Sequence, residues 1–141
     1  MPSSRARVPA RLLLAATVTS LAILGTPASG SARIVGYENI VSPSKLISCY
    51  VVQRSSKIEC MARYIPRVGE GDPYLGLRPR GRAILSSRSD YPGYFSRRRT
   101  LRYGDVWARP GIRCTMRRSG LTCRNKSRHG FHLAKGSVRR F

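Results

Sequence analysis

Few side chains in this 141-residue chain are suited to catalysis. The only two histidines, His129 and His132, lie three apart, and on a strand such a pair points to opposite faces. Phosphodiester hydrolysis needs two groups of near-neutral pKa on opposite sides of one phosphate, together with a cation. A small secreted nuclease is therefore a remote reading, and His129 is expected to stabilise the turn before the last strand. The four cysteines, Cys49, Cys60, Cys114 and Cys123, have ten and eight residues between partners in each neighbouring pair, unlike the close pairs of structural zinc sites. No G-x-S-x-G elbow occurs. The six acids (Glu38, Glu59, Glu70, Asp72, Asp90, Asp105) are scattered, with no obvious convergent pair for carboxylate hydrolysis. These residues argue against an enzyme and imply no metal and no cofactor.

Binding chemistry is better represented. Lysine and arginine number 27 against six acids, a formal charge of +21. Such a chain associates with polyanions by counterion release. Arginine outnumbers lysine 23 to 4. Coding bias explains arginine replacing lysine but not the shortage of acids. Tyr91, Tyr94, Phe95, Tyr103 and Trp107 interleave with Arg97, Arg98, Arg99, Arg102 and Arg109. Aromatic faces beside guanidinium forks suit single-stranded nucleic acid, sugar phosphate or another anionic polymer. The competing reading makes Tyr103 and Trp107 core and the arginines a solvated face. The polyanion-binding candidates are Arg97, Arg98, Arg99, Arg102, Arg113, Arg117 and Arg124.

The elements that would position these groups begin after a leader. Arg5, Arg7 and Arg11 precede an apolar run over 12–24, and small residues follow at 26–32. This is the pattern of a secretory signal peptide, here assigned to 1–32, with cleavage after Ala32 or, alternatively, Ala28. The run has thirteen residues, whereas a spanning helix needs about 20, so no stable membrane anchor is expected. Removing the three leader arginines and none of the acids leaves +18 on residues 33–141, a length typical of one domain. An even number of cysteines in an exported chain implies disulfides. Cys49–Cys60 with Cys114–Cys123 is the preferred pairing of the three possible, because each pair brackets a predicted hairpin.

The clearer hairpin lies within 111–131. Ile112, Cys114 and Met116 alternate with Arg113, Thr115 and Arg117; after Ser119-Gly120, Leu121 and Cys123 alternate with Thr122 and Arg124. Period-two alternation around a glycine turn predicts strands with one apolar and one cationic face. If Cys114 faces Cys123, Met116 sits beside Leu121 and the bridge pins the register. Around the first pair, Ile47, Cys49 and Val51 point one way and Ser48, Tyr50 and Val52 the other, with Ile58, Cys60 and Ala62 returning. The two segments read as a pseudo-repeat, packed inner face to inner face or side by side in one sheet. Residues 33–41 read as a lead-in or first edge strand. Residues 66–100 are rich in Gly and Pro and read as loop-rich and mobile, with only 82–86 long enough for a buried strand. Residues 130–134 read as the last strand. Val138 and Phe141 are expected against the core.

The assembled motifs resemble a family of small secreted actinobacterial proteins classed as a domain of unknown function. That family shows S-P-S-G-N-I-x-C, L-P-Y-G, G-x-x-C, S-G-V-T-C-x-N and G-H-G-F-x-L-S-R, with a terminal F. The matching residues begin with Ser42-Pro43-Ser44-Lys45-Leu46-Ile47-Ser48-Cys49 and Leu101-Arg102-Tyr103-Gly104. Gly111-Ile112-Arg113-Cys114 and Ser119-Gly120-Leu121-Thr122-Cys123-Arg124-Asn125 follow, then His129-Gly130-Phe131-His132-Leu133-Ala134-Lys135 and Phe141. Lys45-Leu46 replaces Gly-Asn, and the additional central cysteine pair that is common in the family is missing. The resemblance carries no reaction, substrate or catalytic residue.

The expectation is a mostly β fold: a small disulfide-linked antiparallel sheet or sandwich built on two cystine hairpins, with a long irregular middle loop. Its expected role is non-enzymatic binding of an anionic partner (cell-envelope polymer, lipid headgroups or nucleic acid) outside the cell or at its envelope. The alternative is a structural or protein-interaction factor that uses the middle loop. The sequence leaves the oligomeric state open.

Overall fold

The computed structural model describes residues 31–90 and 98–141. Residues 1–30 of the expected leader and the predicted contacts Tyr91, Tyr94, Phe95 and Arg97 lie outside the described residues. Two six-stranded sheets share one apolar core. The first runs β1 (Ile34–Val35), β8 (Val106–Arg109), β9 (Ile112–Arg117), β10 (Gly120–Asn125), β11 (Gly130–Ala134), β12 (Ser137–Arg140). The second runs β7 (Arg99–Thr100), β2 (Asn39–Val41), β3 (Ile47–Val52), β4 (Lys57–Ala62), β5 (Asp72–Leu77), β6 (Ile84–Arg88).

The two orders are equivalent. Each sheet is a five-stranded antiparallel meander with a two-residue strand added in parallel at its first edge. Those edge strands are exchanged: β1 precedes β2 in the chain but pairs with β8, and β7 precedes β8 but pairs with β2. An all-antiparallel expectation misses these two pairs.

Alternation sets the register. In β9–β10, Cys114 faces Cys123 and Met116 faces Leu121; in β3–β4, Cys49 faces Cys60 and Val51 faces Ile58. Both disulfides form, with Cα atoms 4.1 and 4.0 Å apart. All four cysteines are buried in the shared core, so the two hairpins face each other across the sandwich. Ile40 and Trp107 flank Cys49 and Cys114 in register, and Leu75 and Phe131 flank Cys60 and Cys123. All four flanking side chains are fully buried. Trp107 is therefore core, and its Nε1–H donates to the Tyr37 carbonyl at 2.6 Å. The connections differ. A single 3-10 turn at Gln53–Ser55 joins β3 to β4, whereas Arg118-Ser119 joins β9 to β10 and leads into Gly120 at φ +126°. A Cβ at Gly120 would collide with the Leu133 carbonyl oxygen.

Over 72–88 the middle segment holds two strands that its Gly and Pro content hides. β5 and β6 pair over five residues each, from Asp72↔Arg88 to Gly76↔Ile84, and β5 pairs with β4. Pro73 and Gly76 sit inside β5 and mask its periodicity. Residues 130–134 form β11, but β12 is the last strand; Val138 packs against the core, and Phe141 exchanges backbone hydrogen bonds with Gly130 at 2.8 and 3.0 Å. One side chain ties the sheets together. Asn125, at the end of β10, donates from Nδ2 to the Arg78 and Gly81 carbonyls (3.0 and 2.6 Å). Its Oδ1 accepts from Ser127 N and His129 N.

Candidate polyanion-binding face

The outer face of the β8–β12 sheet follows from the parity of its strands. With Cys114, Met116, Leu121, Cys123, Phe131 and Leu133 inward, Arg113, Thr115, Arg117, Thr122, Arg124 and His132 must face out. A transverse row joins Thr115, Thr122, His132 and Arg139, each the Cα partner of the next. Thr122 Oγ1 and His132 Nδ1 are hydrogen-bonded at 2.8 Å. The adjacent row places Arg113 directly opposite Arg124. Like charges in that position destabilise a strand pair. The Arg124 guanidinium lies over the Phe141 ring at 4.8 Å, and Arg118 lies over Tyr103 at 5.4 Å.

No carboxylate side chain from this sheet's own strands offsets the charge. From Val106 to Phe141 the chain carries ten lysines and arginines and no Asp or Glu. Asp105, immediately before β8, is 4% exposed and already engaged. It accepts from Arg33 Nε (3.0 Å), Arg33 Nη2 (2.6 Å) and Arg102 N (2.8 Å). The hydrogen bond from Arg33 is the main cause holding its carboxyl below the usual carboxylate range, against the opposing effect of burial.

The equivalent positions of the other sheet are satisfied from within. Ser48 and Met61 occupy the places of Arg113 and Arg124; Tyr50 and Glu59 occupy those of Thr115 and Thr122. Glu59 is 1% exposed and is held by Tyr50 Oη, Lys57 Nζ and Arg88 Nη1, the last at 3.0 Å. Burial, then the Glu59 hydrogen bond, pushes the Tyr50 phenol well above its usual range. Burial lowers the Arg88 pKa, but bonds to Tyr50 (2.5 Å) and attraction to Glu59 more than offset it.

The structure divides the predicted contacts. Arg113, Arg117 and Arg124 share the outer face of the β8–β12 sheet. Arg102 is exposed in the turn before β8, where its backbone N–H binds Asp105. Arg98 and Arg99 belong to the β7 edge of the other sheet. Arg98 Nη1 donates to Ser48 Oγ at 3.0 Å, and Arg99 lies over Tyr37 at 5.7 Å. His132, Arg139 and Phe141 join the face although nothing in their residue types marks them for it; alternation over 130–134 is the one sequence signal that points to His132. His129 lies in the turn before β11, with its backbone rather than a strand position setting its place.

No curated protein and no solved structure matches the chain. A model of a family of unknown function (DUF6636) matches residues 71–141, which span β5 through β12 and hold the whole β8–β12 meander. Covering half of the sequence, this match places the chain in that family.

Proposed function

We propose that this is an exported, strongly basic, non-enzymatic protein that binds an extended anionic polymer of the cell envelope through the outer face of the β8–β12 sheet. The carrying observation is the Arg113–Arg124 pair: two arginines at directly opposed strand positions on a face whose strands contribute no carboxylate. A bound anion between them converts an unfavourable pair into a bidentate clamp. Arg117 and Arg139 extend the positive surface along and across the strands, with His132 as a hydrogen-bonding group between Arg139 and Thr122, which suits repeated charges better than one small anion. Two buried disulfides fit an oxidising compartment. The leader pattern, and the resemblance to secreted actinobacterial proteins, support export. Nucleic acid and lipid headgroups share the required chemistry and are the competing ligands of the same face.

Retention of the disulfide-intact protein on immobilised polyphosphate, single-stranded DNA and anionic vesicles tests the reading. Binding is expected to weaken steeply between low and moderate salt, with Arg113→Ser/Arg124→Ser weakening it further. Retention unaffected by salt, or by that double substitution, would sink the proposal.

A further inference from the structure

We infer that the β2–β6 sheet carries a second, separate site for an amphipathic anion: a single phosphate, sulfate or carboxylate head on an apolar body. A cleft of about 490 Å³ opens beside β3 and β4, within the size range of small-molecule sites. Its lining combines two chemistries. Lys45, Arg63, Arg67 and Arg98 supply four cations against one acid, Asp72, while Leu46, Met61, Ala62, Ile65 and Pro73 supply the apolar part.

Two of the cations are anchored beforehand. Lys45 Nζ donates to Thr100 Oγ1 at 2.7 Å, and Arg98 Nη1 to Ser48 Oγ at 3.0 Å. The other two, Arg63 and Arg67, are exposed and make no ion pair among the described residues. Lys45 holds a left-handed backbone, φ +62°, a conformation that costs a non-glycine residue free energy and that clusters at functional sites. The next residue, Leu46, is one of the few large hydrophobic side chains left exposed, at 39%.

This composition separates the cleft from the arginine face. A polyphosphate gains nothing from Leu46, Met61 or Pro73, and a neutral apolar molecule gains nothing from four cations. A ligand with both parts uses the whole lining: the apolar body displaces water from the apolar side chains while the head takes charge-assisted hydrogen bonds from the cations.

The test uses 8-anilinonaphthalene-1-sulfonate, which has both parts, titrated into the disulfide-intact protein at moderate salt and followed by fluorescence. Arg63→Ser/Arg67→Ser should weaken its binding about tenfold or more, the equivalent of one charge-assisted hydrogen bond. Arg113→Ser/Arg124→Ser should leave it within about twofold, and inorganic phosphate should compete at least about tenfold less well. Near-UV circular dichroism reports the fold; if the Arg63/Arg67 variant has lost it, Leu46→Asp, at an exposed position, decides by the same criterion. Unchanged affinity in the cleft variant, equal loss in the Arg113/Arg124 variant, or phosphate competing as well as the dye would overturn the inference. Polyphosphate retention by the cleft variants distinguishes this failure from failure of the polymer-binding reading.

Discussion

Arg33 and Asp105 close the exchange of edge strands with a two-point ion pair. Arg33 Nε and Nη2 reach the two carboxylate oxygens at 3.0 and 2.6 Å, while the Arg33 carbonyl accepts from Val106 N at 2.9 Å. Backbone and side chain together fasten β1 to β8, where only two residue pairs, Ile34↔Val106 and Val35↔Trp107, form the parallel ladder. Two residues of ladder are too few to hold a strand alone, so the carboxylate should matter more than most on this surface.

Asp105→Ala is therefore expected to destabilise the fold by removing the acceptor of the Arg102 N–H and the Arg33 fork; water can replace it at these exposed donors, so the loss should be about 1 kcal/mol, that of an ordinary hydrogen bond. The pH dependence has a definite sign. The folded-state carboxyl is lowered, so its contribution is fully present above the unfolded value, about 3.9, and is lost as pH falls through the folded value. Urea midpoints at neutral pH and near pH 3 should differ less in Asp105→Ala than in the wild type. An identical acid loss in both would assign the effect elsewhere.

Asn125 should be among the least replaceable polar residues. It is 8% exposed and makes four hydrogen bonds, two of them to the β5–β6 connection. Asn125→Ala is expected to cost about 2–4 kcal/mol, since buried acceptors and donors lose partners together. Asn125→Asp should rescue little. It restores the acceptor toward Ser127 N and His129 N but sets a carboxylate against the Arg78 and Gly81 carbonyls. Hydrogen exchange should show faster opening at Gly81 in both variants, and at Ser127 chiefly in Asn125→Ala, which alone removes its acceptor.

The contrast between these two residues shows what was legible in the sequence. Alternation about the cysteines carried the inner faces of both hairpins, and in the second the Met116↔Leu121 register as well. That signal exists because each central strand buries one face only. It fails for β1 and β7, which are two residues long and have no period to read. It fails for β5, where Pro73 and Gly76 interrupt the pattern. Arg98, Arg99 and Arg113 look alike in sequence; the exchange of β7 puts the first two on the other sheet. Alternation turns Tyr50 away from the Cys49 face, yet Tyr50 and its partner Glu59 are 5% and 1% exposed; Tyr74, Val52 and Met61 pack beside Tyr50, and Arg88 reaches both from β6, two strands beyond β4. Nothing local encodes that.

Glu59 gives a third prediction. Removing one partner of a buried ion pair leaves the others uncompensated, at about 3–5 kcal/mol. Lys57 and Arg88 are partly exposed, so Glu59→Ala should fall at or below the lower end. Glu59→Gln should retain more stability by keeping a hydrogen-bond acceptor for Tyr50 or Arg88. Thermal unfolding of both variants orders them; equal losses would show that charge alone matters.

The opposed pair Arg113–Arg124 makes the last prediction, because stability and binding should move in opposite directions. Like charges facing each other on adjacent strands cost folding free energy, and Arg124 recovers part of that by lying on Phe141. Arg113→Thr has high strand propensity, removes the repulsion and is expected to leave the unbound protein as stable as wild type or up to about 1 kcal/mol more stable. The same change should weaken polyphosphate binding and lower the slope of log K against log salt by about 0.7–0.9 for each phosphate no longer neutralised, if the polymer releases counterions as nucleic acids do. Phe141→Ala should release the Arg124 guanidinium and reduce affinity without changing the slope, since no charge is removed. Weaker binding by Arg113→Thr with an unaltered salt slope would mean that the arginine shapes the face and does not touch the polymer.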